Sequence, residues 1–296
     1  MLRASIIALA TLVLCSAAAF AGDKESAANE FARGKALLAK GDFDQALAAF
    51  KAATRADAEN DLYFQEFTLL KRIIKIRTNL AAEQDADAWR TMARPVLVYY
   101  RDKSLSGPAL ELATTMHTKL NDDESLNALA DARLAAGRNA EAAALLAELP
   151  EAKMTPHLQA VRGLALARTG QLEAARALAA ALVMPKDCDA DICWDAARLY
   201  GAVAQPEKAL STLTCLFECT PAPQLAEVKE AAKVAPEFAR LVATPEFEKV
   251  LATKSKLTAG CGSSCAGCPS AGKAGGCSAD KAKAEGKEAG CEHEKQ

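Results

Sequence analysis

Four stretches of this sequence share one layout, and that layout constrains the fold more than any other feature. "FARGKALLAKGDFDQALAAFKAATRADAEN" begins at Phe31, and the same plan returns in "LADARLAAGRNAEAAALLAEL", "VRGLALARTGQLEAARALAAAL" and "WDAARLYGAVAQPEKALSTLTCL". In each, apolar and small residues recur at helical spacing, a short break follows, and a second apolar face begins. The breaks fall at Gly41, Gly137, Gly170 and Ala204, and the last three stand 33 and 34 residues apart. A helical hairpin of this size cannot bury its own apolar face. Several must therefore stack, each covering its neighbour. Alanine is abundant and alternating β-branched runs are nearly absent, which excludes a sheet and gives an all-α class.

The period and the small residues at the helix crossings resemble the tetratricopeptide repeat. The matching residues are Gly34, Gly41, Ala46, Phe50 and Ala53 in the first unit, then Gly163, Gly170 and Ala175, then Ala197, Tyr200, Ala209 and Pro221. The resemblance runs over roughly residues 25 to 220 and implies a right-handed superhelical solenoid whose concave face binds a protein or peptide. It is weakest over 61–120. There "LYFQEFTLLKRIIKIRTNL" and "DAWRTMARPVLVYYRDK" read as helices of degenerate pairs, with Pro95 kinking or starting one. The segment punctuated by Pro236 and Pro245 carries Phe238, Leu241, Phe247 and Leu251. It is similar to the terminal segment that closes bacterial arrays of this family. A solenoid needs such a cap because its last apolar face otherwise meets water.

The chain begins "MLRASIIALATLVLCSAAAFAG": one basic residue, an apolar run and a small-x-small end. This reads as a signal peptide over residues 1–21, cleaved after Ala21. The mature chain is then exported, periplasmic or secreted, and not an integral membrane protein. Formal net charge is −2, which argues against nucleic-acid binding through a basic surface. The expected organisation is signal peptide 1–21, array and cap 22–256, and a thiol-rich tail 257–296.

No catalytic constellation is visible. His117, His157 and His293 sit in no His-Glu-x-x-His pattern, and each reads as an ordinary surface or half-buried residue. "GCPSAGKA" approaches a phosphate-binding loop, but Ala274 stands where Ser or Thr is needed. Lys71 and Lys75, one helical turn apart, read as a solvated face.

The ten cysteines carry most of the chemistry. Cys188, Cys193, Cys215 and Cys219 bracket the last hairpin. Folding it about Gln205 sets Cys193 against Cys215 and Cys188 against Cys219, which in an oxidising compartment reads as two disulfides. The rival reading of these four is a tetrahedral zinc site. In the tail, Cys261, Cys265, Cys268 and Cys277, joined by His293, form a soft-ligand set for copper or zinc. With Cys291 the tail holds five thiols, so pairing and tethering to another chain stand equally open. Two functions follow. One is an exported scaffold binding another protein in the cell envelope. The other is a metal-binding or thiol-redox protein acting through the C-terminal cysteines.

Overall fold

The computed structural model describes residues 24–185 and 189–257. These residues form helices and short 3-10 turns, and no strand occurs among them. The helices are α1 (24–39), α2 (Phe43–Ala56), α3 (Asp61–Ala82), α4 (Ala86–Asp102), α5 (Ser106–Leu120), α6 (Asp123–Ala135), α7 (Asn139–Ala147), α8 (Pro156–Arg168), α9 (Leu172–Ala181), α10 (Ala190–Ala202), α11 (Pro206–Cys219), α12 (Ala222–Val234) and α13 (Pro245–Leu251). From α2 to α12 consecutive helices pack on one another along the chain, α8 also packs on α10 and α6, and α13 packs back on α11. The expected all-α array is what the chain forms. Among the described residues no helix is long and apolar enough to cross a membrane.

The hairpin turns share one backbone solution. Gly41, Gly137 and Gly170 have φ of 83°, 72° and 83°, a left-handed conformation that glycine adopts without Cβ strain. In each the next amide reaches back to a carbonyl five residues earlier: Asp42 to Leu37, Arg138 to Arg133, Gln171 to Leu166. This Schellman closure satisfies carbonyls that a helix end leaves open. Ala204 makes the same turn at φ 59°, with Gln205 N–H donating to Tyr200.

A fifth copy occurs where the sequence pattern looked weakest. Ser104 has φ 54°, and Leu105 N–H donates to the Tyr100 carbonyl, so α4 and α5 form a hairpin of the same kind. Ser104 stands 33 residues before Gly137, in phase with the later units. The odd member is α3, a single helix of 22 residues, about 33 Å long, between the first hairpin and the second. Pro95 lies inside α4, which runs through it from Ala86 to Asp102.

Glycines at the crossings let helices approach. A Cβ on Gly34 would lie 2.5 Å from the Phe50 ring, and one on Gly163 would lie 2.7 Å from Leu199 Cδ2. The buried side chains form two clusters. One runs from Leu38 to Met116 and centres on Phe50, Leu70 and Val96. The other runs from Leu126 to Val250 and centres on Leu164, Leu199, Leu213 and Phe217. The cap closes the second: Phe238 and Phe247 are fully buried, and Trp194 meets Phe238 edge-on at 6.2 Å.

Candidate functional site

The seam between the two clusters falls at α5 and α6, and a groove opens there. Its volume is about 410 Å³, and Leu97, Tyr100, Leu105, Ala109, Ala128 and Ala132 contribute its apolar walls. Val98 faces it and is 46% exposed, unusual for so apolar a side chain. Arg101 and Asp131 supply charge at its margin. Small residues make this cleft: where α6 turns Ala128, Ala132 and Ala135 toward α4, nothing larger fills the space.

Ion pairs fasten the seam. Arg90 lies 2.7 Å from Asp122 and 2.6 Å from Asp87, and Arg94 holds Glu124 at 2.5 Å. Asp122 also caps α6, accepting from the Ser125 amide at 2.8 Å while Ser125 Oγ accepts from the Asp122 amide. That capping bond, then Arg90, holds the Asp122 carboxyl below its ordinary range. Arg101 reaches from α4 to Asp191 on α10 at 3.3 Å, spanning three hairpins of sequence. Arg94, Arg101, Asp87 and Asp191 are exposed, so their pairs contribute roughly 0–1 kcal/mol each, while Arg90 and Asp122 are part-buried. Their effect is on position more than on stability.

At the groove margin, Asp131 from α6, His157 from α8 and Asp195 from α10 converge, with candidate ligand atoms within 4.8 Å of one another. Three successive hairpins thus each contribute one side chain. His157 follows Pro156 in the first turn of α8, which Thr155 caps through the Leu158 amide. Its Nε2 lies 2.9 Å from Asp131 Oδ1, and its Nδ1 lies 3.8 Å from Asp195 Oδ2. The His157 side chain is 14% exposed. Burial alone lowers its pKa. The hydrogen bond and charge of Asp131, with the charges of Asp195 and Asp191, outweigh burial and raise it to about 9. Asp195 is 8% exposed. Desolvation and the Asp131 charge lift its carboxyl to about 6, against the opposing pull of His157 and Arg198.

A second buried network anchors the cap. Glu237, its side chain 4% exposed, accepts from Arg168 Nε at 2.8 Å and from Arg198 Nε at 3.4 Å. Burial raises its pKa, but Arg198 and Arg168 more than compensate and leave it lowered. Arg198 also reaches Asp195 at 3.4 Å, so the two networks are continuous.

The cysteines expected at the last hairpin are partly visible. Cys193 and Cys215 meet across α10 and α11, their side chains hydrogen-bonded to each other, and burial pushes the Cys193 thiol up to about 12. Cys219 is disulfide-bonded, while Cys188 lies outside the described residues. The tail set of Cys261, Cys265, Cys268, Cys277 and His293, like Cys291 and the signal segment 1–21, also lies outside them. His117 is the helix residue expected of it, 3.2 Å from Ser125 Oγ. His157 is not. Sequence reading missed Asp131, His157, Asp195 and Glu237 as a constellation, since no local motif joins them. The one available signal was register: Asp131 and His157 lie six residues before and thirteen before their turn glycines, and Asp195 nine before Ala204.

No family model matches this chain, and no curated protein matches it either. Among solved structures it is similar to a tetratricopeptide repeat protein from Parabacteroides merdae. The match has 16% identity and a TM-score of 0.40, covering 77% of this chain and 98% of that one. The tetratricopeptide-like character of this chain stands on its own geometry: left-handed turns at a 33–34-residue period and small residues where helices cross.

Proposed function

We propose that this chain is an exported scaffold that binds another protein or peptide in the groove between α4, α5 and α6. The observation that carries the reading is the groove itself: apolar walls, an exposed Val98, and opposite charges from Arg101 and Asp131 at one margin. Apolar surface left in a cleft with a few convergent polar groups is the usual form of a recognition site. The hairpin array supports the reading because stacked helix pairs form an extended surface of the kind that binds other chains. The signal-like residues 1–21 support export, which places the partner in the cell envelope or outside the cell. On this reading the protein is not an enzyme.

A photo-crosslinking residue at position 98, introduced in cells that make the protein, tests this. The expected result is a discrete adduct with one other chain, absent when the probe is moved to Lys51 and reduced at least tenfold by Ala132→Glu. Adducts equal at positions 51 and 98 refute the groove as the docking site. Deleting residues 257–296 should leave the adduct intact. Its loss would instead place recognition in the tail.

A further inference from the structure

The cluster at the groove margin is short of positive charge. Its connected carboxylates are Asp102, Asp131, Asp191, Asp195 and Glu237, against the guanidinium groups of Arg101, Arg168 and Arg198. The deficit is focused on His157. Nδ1 is buried and has no hydrogen-bond partner. It faces Asp195 Oδ2 at 3.8 Å, too far for a hydrogen bond. Two atoms each about 2.0–2.2 Å from one zinc-like cation stand roughly 3–4 Å apart. Nε2, meanwhile, is bonded to Asp131 at 2.9 Å. A carboxylate on the far nitrogen is the arrangement that fixes the tautomer of a metal-ligating histidine, leaving the other lone pair for the ion.

We propose that His157 Nδ1 and Asp195 Oδ2 bind a divalent cation of the Zn²⁺ class, with Asp131 positioning the imidazole and water completing the shell. Asp191 lies one turn before Asp195 on α10 and is paired with Arg101. Imidazole with carboxylate suits Zn²⁺ and its neighbours better than Mg²⁺ or Ca²⁺, which take oxygen alone. The ion ties α8 to α10 beside the groove, and the His157–Asp131 bond links that tie to α6.

The test is ¹H–¹⁵N multiple-bond NMR of the histidine side chains in the full-length, tag-free chain at pH 7.5, with Zn²⁺ as chloride. His157→Gln assigns the signal among the three histidines. This readout is specific to the site, whatever Zn²⁺ the tail thiols take up. The expected result is that added Zn²⁺ moves the Nδ1 signal of His157 into the metal-bound range. Asp131→Asn should weaken the transition by about 10–100-fold, and Asp195→Asn should abolish it. A His157 Nδ1 signal unmoved at tenfold excess Zn²⁺ overturns the proposal. So does a transition unaltered by Asp195→Asn.

Discussion

Gly201 offers the sharpest check on how the cap is seated. A Cβ there would lie 2.7 Å from the Glu237 carbonyl oxygen and 3.1 Å from Phe238 Cδ1. The obstacle is backbone, and that backbone is fixed. Phe238 is fully buried against Trp194 and Phe247, and the Glu237 carboxylate is gripped by Arg168 and Arg198. Gly163 presents the same overlap, 2.7 Å, to the end of the Leu199 side chain, which can rotate away. Replacing glycine by alanine within a helix gains about 1 kcal/mol in propensity, and overpacking a core costs typically 1–3 kcal/mol. For Gly163→Ala the two nearly cancel. For Gly201→Ala the cost lies at or above the upper end, and the gain shrinks because the residue is one from the end of α10. We expect Gly201→Ala to be destabilised by about 2 kcal/mol relative to Gly163→Ala. Urea titration followed by far-UV circular dichroism measures this. Trp194 fluorescence, which senses the contact with Phe238, should shift in the first variant before urea is added. Equal stabilities for the two variants, or an unshifted Trp194, would refute the claim that the 3-10 turn Pro236–Phe238 is rigidly seated on α10.

Other consequences are as direct. Ala204 holds φ 59° where the parallel turns have glycine, so Ala204→Gly should raise stability by about 0.5–1 kcal/mol and Gly170→Ala should lower it by a similar amount; thermal melts of both decide. Glu237 has a lowered pKa in the folded chain, so its contribution is present above the ordinary glutamate range and is lost as pH falls through the folded value. The wild type should therefore lose more stability on acidification from pH 7 to 4 than Glu237→Gln, and parallel urea midpoints across that range would show the carboxylate is not held as described. Cys193 and Cys215 already touch, so peptide mapping of protein from its native compartment, alkylated without reductant, should recover the two segments joined by a disulfide. Recovering both as alkylated thiols would refute that pairing.

The parts of the fold legible in the sequence were those that rest on one residue doing a local job. Gly41, Gly137 and Gly170 mark turns because a left-handed residue is needed there, and glycine adopts it without Cβ strain. Ser104 and Ala204 occupy the same conformation without announcing it. Ala204 was found by its spacing from Gly170, whereas Ser104 was hidden, because α3 interrupts the period and leaves the count from Gly41 out of phase. Gly34 and Gly163 were legible for a similar reason, since small residues mark the close helix crossings.

The polar cluster had no such signature. Asp131, His157 and Asp195 belong to three hairpins, and each is unremarkable within its own helix. What joins them is the stacking of α6 on α8 and of α8 on α10, which sets equivalent faces side by side. A histidine in the first turn of a helix is an unfavourable place for positive charge, and burial disfavours it further. Yet the neighbouring carboxylates raise its pKa. That reversal is produced by residues 26 and 38 positions away in sequence, so no window along the chain contains its cause. The same stacking opens the groove beside it, because alanines that serve close packing within the array leave a cleft where the two cores meet. In a stacked repeat, sequence period predicts the scaffold, while the functional surface is written across the period, in residues that become neighbours only when the hairpins are in register.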